Sequence, residues 1–189
     1  MLIPLGFWAA SAGGGAAGSF DLLETQVLAS SAASVSFTSL STFAADYKHL
    51  QIRLTARFTN ISGAEAVRVQ FNADTGNNYA RHTLFANGSS VSSFGGANQD
   101  RFELGDYPWN SSPANAFGGA VIDILDPFET TKYTTARALT GSEHGSGNRL
   151  QFVSGLWMNT NALSEIRLYS AFSTMLTGSR FSLYGIRGG

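Results

Sequence analysis

The stretch KHLQIRLTARFT, residues 48–59, alternates apolar and polar side chains along its whole length. The apolar set is Leu50, Ile52, Leu54, Ala56 and Phe58, and the polar set is Gln51, Arg53, Thr55 and Arg57. Successive side chains of a β-strand point to opposite faces of its sheet, so a period of two indicates a strand with one buried face. We therefore predict a strand here, with the apolar set in a core and the polar set towards solvent.

The same period recurs in short runs along the rest of the chain. The further strand candidates are Phe20–Leu28, Ser34–Leu40, Ala66–Phe71, Arg81–Ala86, Arg101–Leu104, Ala120–Leu125, Tyr133–Leu139, Leu150–Trp157, Ser164–Tyr169 and Arg180–Ile186. Clusters such as NADTGNN, FGGANQD and NSSPANAFGG separate them and are typical of turns. The only helix candidate is a short one at residues 42–46. Many short strands at this spacing predict an all-β fold, an antiparallel two-sheet sandwich of jelly-roll type over residues 20–189.

Composition excludes several function classes. The 189 residues include only 13% charged side chains, about half the usual share of about 25%. The formal net charge of −1 offers no basic surface for nucleic acid. Cysteine is absent, which removes disulfides, thiolate catalysis and cysteine metal sites. We expect no nucleic-acid partner, and a surface covered by small polar residues or by neighbouring subunits.

Candidates for catalysis or metal binding are few. His49, His82 and His144 are scattered without ligand-like spacing. Asp123 and Asp126 bracket one strand candidate; we expect Asp123 to pair with an arginine or a loop amide, and Asp126 to start a turn. NADTGNN, residues 72–78, resembles part of a calcium loop but lacks its bidentate glutamate, and a hairpin turn explains the same residues. We predict no enzyme activity, no catalytic residue, no cofactor and no metal.

Aromatic residues near strand ends leave two interpretations open. Tyr107 and Trp109 lie in a predicted loop, and Trp157 ends a strand candidate. Loops on a rigid sandwich often carry binding sites, so the three rings could stack on the sugar rings of a glycan. The same rings could instead close one end of the sandwich or pack on another subunit, which is the interpretation that we favour.

The first 19 residues differ from the rest and form a predicted N-terminal arm. Its apolar side chains are followed by a run of Gly, Ala and Ser. Ala10-Ser11-Ala12 resembles a signal-peptidase site. A signal peptide also requires a Lys or Arg before its apolar run, and this chain has none there. The run is also too short to span a membrane. We therefore expect no membrane insertion and a peptide that docks on a partner through Leu2, Ile3, Leu5, Phe7 and Trp8.

Five strings of the chain are distinctive: YKHLQIR (47–53), FNADTGNNY (71–79), VIDILD (121–126), SGLWMNT (154–160) and SRFSLYGIRGG (179–189). With the opening IPLGFWAASAGGGAAG they resemble a group of small structural proteins from the virions of tailed bacteriophages, common among phages of aquatic bacteria. The resemblance implies a virion component assembled in the host cytoplasm, either a capsid decoration or head-fibre subunit or part of a tail fibre. It further implies capsid or tail proteins as partners and a homotrimer. It implies no catalytic residue.

The residue pattern of the last strand candidate predicts where this strand lies in its sheet. In SRFSLYGIRGG, Phe181 and Leu183 occupy one face, while Tyr184 and Ile186 occupy the other. A strand at a solvated edge would keep one face polar. We therefore expect Arg180–Ile186 to lie inside a sheet and to pair along both of its edges.

Overall fold

In the computed structural model, residues 18–60, 65–143 and 148–188 are described, with the side chain of Asp106 left aside. They form twelve strands: β1 Phe20–Val27, β2 Ser34–Phe37, β3 His49–Ala56, β4 Glu65–Phe71, β5 Tyr79–Ala86, β6 Val91–Gln99, β7 Phe102–Tyr107, β8 Gly118–Leu125, β9 Thr134–Ser142, β10 Arg149–Trp157, β11 Ile166–Ser170 and β12 Arg180–Ile186. One 3₁₀ turn, Leu40–Phe43, is the only helical element in these ranges. The short helix expected at residues 42–46 is therefore this turn, displaced towards the N-terminus.

The strands form two antiparallel sheets that pack face to face. The large sheet has eight strands in the order β1-β12-β3-β8-β9-β10-β5-β6, and the small sheet has four in the order β2-β11-β4-β7. The predicted all-β sandwich is confirmed. Most candidate strands coincide with observed strands to within a few residues, because their period-two patterns reflect burial against the opposite sheet.

The pairing of the strands is that of a jelly roll. Four early strands pair with four late ones in reverse order: β1 with β12, β2 with β11, β3 with β8, and β4 with β7. The four pairs together form a long antiparallel ribbon of paired strands that folds over on itself. Successive pairs along this ribbon lie alternately in the large sheet and in the small sheet. Two Greek keys wrapped in this way define a jelly roll.

Two hairpins extend the large sheet beyond the roll. Strands β5 and β6 are inserted between β4 and β7, and β9 and β10 between β8 and β11. Because β10 pairs with both β9 and β5, the hairpins join into one continuous extension at the β8 edge. The small sheet ends at β7, which packs against β9 and β10. Strand β6 is exposed along most of its length, so the large sheet overhangs the small one there.

The core lies between the sheets and contains the apolar face of the opening stretch. Leu50, Ile52 and Ala56 are fully buried, and Leu54 is nearly so. Phe58 lies just beyond β3 and is also fully buried. The predicted apolar set of residues 48–59 is thus confirmed as core.

Arg57 is an exception to the alternation, since we expected it on the solvent face. Strand β3 ends at Ala56, and Arg57 turns inward with only 6% of its surface exposed. Its guanidinium donates hydrogen bonds of 2.6–3.2 Å to four carbonyl oxygens of the loop at residues 110–116. The period of two fails here because it holds only while the chain remains extended.

Strand β6 was not among the predicted strands. Its residues include FGGANQ, the first six residues of the FGGANQD cluster that we interpreted as a turn because it is rich in Gly and Asn. The segment pairs with β5 alone, and both of its faces are largely exposed. Without a buried face, such a strand has no hydrophobic period to detect.

The last strand lies where the sequence predicts. Strand β12 pairs with β1 on one edge and with β3 on the other. Phe181 and Leu183 are fully buried against the small sheet. Beyond the strand, Arg187 lies 3.4 Å from the Asp21 carboxylate.

No described helix is long and apolar enough to span a membrane.

Candidate functional site

Large apolar side chains cover one end of the face of the large sheet that points away from the small sheet. Leu139, Phe152 and Leu84 lie directly opposite one another on β9, β10 and β5 and are each about half exposed, at 52%, 48% and 51%. In the next row, Leu150 on β10 and Val91 on β6 flank Ala86 and are exposed by 55% and 68%. We call these five large residues the outer patch: Leu84, Val91, Leu139, Leu150 and Phe152.

The outward position of these side chains follows from the close packing of β9 and β10 against β7. The inward positions of β9 are small residues, such as Ala136 and Ala138, because the edge strand β7 packs closely beneath them. At Gly155 on β10, an added Cβ would lie 2.2 Å from the Phe102 ring of β7. The larger aliphatic side chains of these strands therefore face outward. Large contiguous apolar patches on a protein surface mark interaction sites or binding grooves.

The far edge of the same face carries a second apolar group. Phe20 of β1 stacks on Tyr184 of β12, with ring centroids 4.7 Å apart. The Arg53 guanidinium lies over both rings, at 5.1 and 5.3 Å. Leu22 and Val27, also on β1, are exposed by 58% and 50%. Apolar side chains thus occur at both ends of one broad sheet face.

A cleft opens under the overhang, on the opposite side of the extension. It encloses about 210 Å³, between strands β5, β6 and β10 and the edge strand β7. We call it the overhang cleft; its principal side chains are Arg81, Phe85, Phe94, Arg149 and Gln151. Each aromatic ring of the cleft is covered by a guanidinium: Arg149 lies 5.3 Å from the Phe85 ring, and Arg81 lies 5.4 Å from the Phe94 ring.

Arginines converge on one carboxylate beside the cleft. Glu103 of β7 lies 3.0 Å from Arg68, 3.5 Å from Arg101 and 3.6 Å from Arg81. Arg81 also donates a hydrogen bond of 2.9 Å to the Glu103 carbonyl, which covers part of the free edge of β7. These contacts hold the Arg81 side chain at the cleft wall.

Two of the three predicted glycan platforms are not available to a ligand. Trp157 is fully buried, and its indole N–H donates a 2.8 Å hydrogen bond to the Asp74 carboxylate. Tyr107 is 1% exposed and packs edge-on against Phe58, and this burial raises the pKa of its hydroxyl. The stacking prediction is therefore wrong for Tyr107 and Trp157, because both rings fill the space between the sheets.

Trp109 is partly buried in the loop between β7 and β8. Its backbone exchanges hydrogen bonds with Ser112, through the Ser112 hydroxyl at 3.0 Å and the Ser112 N–H at 2.9 Å. The Arg57 guanidinium holds the same loop through its carbonyls. The structure thus places Trp109 on a loop that is held by hydrogen bonds, where it is partly exposed, unlike Tyr107 and Trp157.

The calcium-like segment at residues 72–78 is a structural turn, but the hairpin that we predicted is wrong, because the turn joins β4 of the small sheet to β5 of the large sheet. Asn72 and Ala73 adopt left-handed backbone conformations, with φ of 50° and 53°. The Asp74 carboxylate accepts hydrogen bonds from the Gly76 N–H and the Asn78 amide, in addition to the Trp157 indole. These donors occupy the oxygens that a calcium ion would need.

Asp123 and Asp126 have separate structural roles. Asp123 accepts a hydrogen bond of 2.7 Å from the Gln51 amide on the neighbouring strand, so its observed partner is a side-chain amide. Asp126 occupies a left-handed turn position with φ of 49°, and it pairs with Lys132 and with Lys48. The hydrogen bond from Lys132 lowers the pKa of Asp126. A carboxylate held ionised in this way is a poor general acid.

The two histidines that the structure describes do not form a site together either. His49 on β3 accepts a hydrogen bond from the backbone N–H of Asp126. His82 lies on β5, with three strands between it and β3, and His144 lies outside the described residues. Within the described ranges, no group of three or more His, Asp or Glu side chains is arranged to hold a metal ion. The arm residues Leu2, Ile3, Leu5, Phe7 and Trp8 also lie outside these ranges.

Comparison of the chain with protein-family models, with curated proteins and with solved structures found no match. The outer patch and the overhang cleft are therefore interpreted from their own chemistry.

Sequence patterns did contain a signal for the outer patch, because LQFVSGLW in β10 carries apolar residues on both faces. The cleft has no such signal, since its residues meet only through the pairing of two distant hairpins.

Proposed function

We propose that this chain is a non-enzymatic structural subunit of a bacteriophage virion, either a capsid decoration or head-fibre subunit or part of a tail fibre. The observation that carries the proposal is the outer patch, a block of half-exposed aliphatic and aromatic side chains across four paired strands. Such a face needs a partner surface, and assembly into a particle supplies one.

The geometry of the face suits packing against another sheet. Two sheets stack about 10 Å apart when their facing side chains interdigitate. The five side chains of the outer patch are uncharged, so burying these side chains desolvates no ion. We propose other copies of this chain as the partners, in the homotrimer that the resemblance to phage virion proteins implies, with the outer patch of each subunit packed on a different surface of the next, as a threefold assembly requires.

The jelly-roll architecture and the composition agree with this role. A chain with 13% charged residues and no cysteine can share large contacts with few desolvated ions. The apolar N-terminal arm, residues 1–19, is proposed to attach the subunit to a capsid or tail protein. Host-surface glycan binding through Tyr107 and Trp157 has no support, since both rings are buried.

Incorporation into particles tests the attachment role. A chain that begins at Gly18 retains every described strand, so we expect it to fold but to be missing from virions of the phage that encodes it. Quantitative mass spectrometry of purified virions measures its copy number. Leu5→Ser with Phe7→Ser should lower occupancy at least tenfold, whereas the control Phe172→Ser, at an exposed position in the loop after β11, should leave it unchanged. Normal occupancy of the shortened chain would contradict attachment through the arm.

A further inference from the structure

The turn between β5 and β6 contains the only asparagine of the chain that is followed by glycine, Asn87. The Asn87 N–H donates a hydrogen bond of 3.2 Å to the Ser90 carbonyl, which closes a hairpin with Gly88 and Ser89 at its tip. Gly88 has φ of 89°, as the first central residue of a type II′ turn requires. All four residues are exposed, so water has access to the turn.

Four donors converge on the side-chain oxygen of Asn87. The N–H groups of Ser89 and Ser90 lie 3.1 and 2.9 Å from Oδ1, and the hydroxyls of the same two serines each lie 3.1 Å from it. Backbone N–H groups only donate, which identifies this atom as the oxygen of the amide. Donors aimed at one carbonyl oxygen stabilise negative charge that develops there during attack on its carbon. The turn thus forms a small oxyanion hole around Oδ1.

The backbone nitrogen of Gly88 is placed to attack the Asn87 side chain. A bond from this nitrogen to Cγ of Asn87 closes a five-membered ring. Among the described residues, the Gly88 N–H has no hydrogen-bond acceptor, so no such bond opposes loss of its proton. Glycine carries no side chain that would obstruct the ring closure, and no atom lies within 4 Å of the place that a Cβ would occupy.

We propose that Asn87 is a site of spontaneous deamidation through a cyclic imide with Gly88, promoted by the donors of Ser89 and Ser90. Hydroxide removes the Gly88 amide proton, the nitrogen bonds to Cγ, and the negative charge passes to Oδ1. The Cγ–Nδ2 bond then breaks, and Nδ2 leaves as ammonia with a proton from water. Water hydrolyses the imide at either carbonyl and yields aspartate or isoaspartate. The reaction consumes one water and releases one ammonia.

The product changes the surface beside the outer patch. Asn87 directly follows Ala86, which pairs with Val91 of the patch. Either product adds one negative charge at this position. Isoaspartate also inserts a methylene into the backbone of the turn, which alters a hairpin whose register depends on its loop length. The chemistry requires only the folded chain, so the proposal does not depend on the virion role.

Peptide mapping by mass spectrometry, after incubation of the full chain at neutral and mildly alkaline pH, tests the proposal. We expect deamidation first at Asn87, as aspartate and isoaspartate, and faster at the higher pH because the attacking nitrogen loses its proton. Asn72 and Asn159 are internal references: Oδ1 of each also accepts hydrogen bonds from backbone N–H groups, but the next residue, Ala73 or Thr160, carries a side chain. Equal conversion of the three asparagines, or none at Asn87, would overturn the proposal.

A serine variant separates the effect of the folded turn from that of the sequence. Ser89→Ala with Ser90→Ala removes two donors from Oδ1 and keeps both N–H groups and the Asn-Gly pair. When folded, it should deamidate on the order of tenfold more slowly than wild type, as expected for the loss of hydrogen bonds to the reacting oxygen. When both chains are unfolded in urea, the two rates should be equal.

The matched control is Ser92→Ala with Ser93→Ala, two exposed serines of β6, which should deamidate at the wild-type rate. An unchanged rate in the folded Ser89→Ala, Ser90→Ala variant would overturn the promotion by these donors. Equal slowing in urea, or in the control, would do the same.

Discussion

Single residues fix the positions of loops in this fold. Asp74 ties the turn after β4 to the indole of Trp157, the largest fully buried side chain of the core. Arg57 performs a similar task for the loop between β7 and β8, where four carbonyls surround its guanidinium. Arg57 is buried and Asp74 is partly buried, and the hydrogen bonds that each makes offset the cost of removing its charge from water.

Asp74 gives a prediction for stability and its pH dependence. Burial alone would raise the pKa of Asp74, but the hydrogen bonds from Asn78, Trp157 and the Gly76 N–H outweigh it and lower the pKa. A lowered folded-state pKa contributes stability that is present above the unfolded value and is lost as pH falls through the folded value. Asp74→Asn should lower the free energy of unfolding by about 1–3 kcal/mol at about pH 7, because one carboxylate acceptor becomes a donor.

Urea unfolding at about pH 7 and at about pH 3 measures this effect. The difference between wild type and Asp74→Asn should shrink at the lower pH, as the wild-type carboxylate becomes protonated. Asp46→Asn is the control, since its side chain is 62% exposed, and it should stay within about 0.5 kcal/mol of wild type. If wild type and Asp74→Asn differ in free energy of unfolding by the same amount at both pH values, the charge of Asp74 does not contribute to stability.

At the scale of elements, the sequence predicts strands with one buried face and misses the others. Strand β3 was found because its apolar set faces the small sheet, while β6 was missed because no sheet lies beneath it. On β10, apolar residues on both faces left the inward side undecided from sequence: Val153 and Trp157 are inside, and Leu150 and Phe152 are outside. Only the partner sheet decides that choice.

Strand β12 gives a prediction at this scale. It is central to the roll portion of the large sheet, since it pairs with both β1 and β3. A chain ending at Gly178 should expose Leu50, Ile52 and Leu54 of β3 and leave two strand edges unpaired, so it should aggregate. Centrifugation and circular dichroism of the refolded product test this. A soluble product that unfolds cooperatively would show that β12 is peripheral.

At the scale of the whole molecule, two surfaces lie on opposite sides of one extension. The hairpins β5–β6 and β9–β10 widen the large sheet beyond the roll, placing the outer patch on one side and the overhang cleft on the other. The fold class was predictable because it depends on local periodicity and turn composition. The two surfaces were not, because each depends on which strands of distant hairpins become neighbours.

Self-association through the outer patch is the central claim for the whole molecule, and sedimentation equilibrium over a range of protein concentrations tests it most directly. Wild type should sediment as a trimer of the 20.0 kDa chain. The double variant Leu84→Ser with Phe152→Ser should sediment as a folded monomer, because both positions are about half exposed and their loss removes mainly the subunit contact. Phe172→Ser, at an exposed position away from the patch, should remain trimeric. A wild-type chain that stays monomeric at every concentration, or a double variant that associates as wild type does, would contradict the claim.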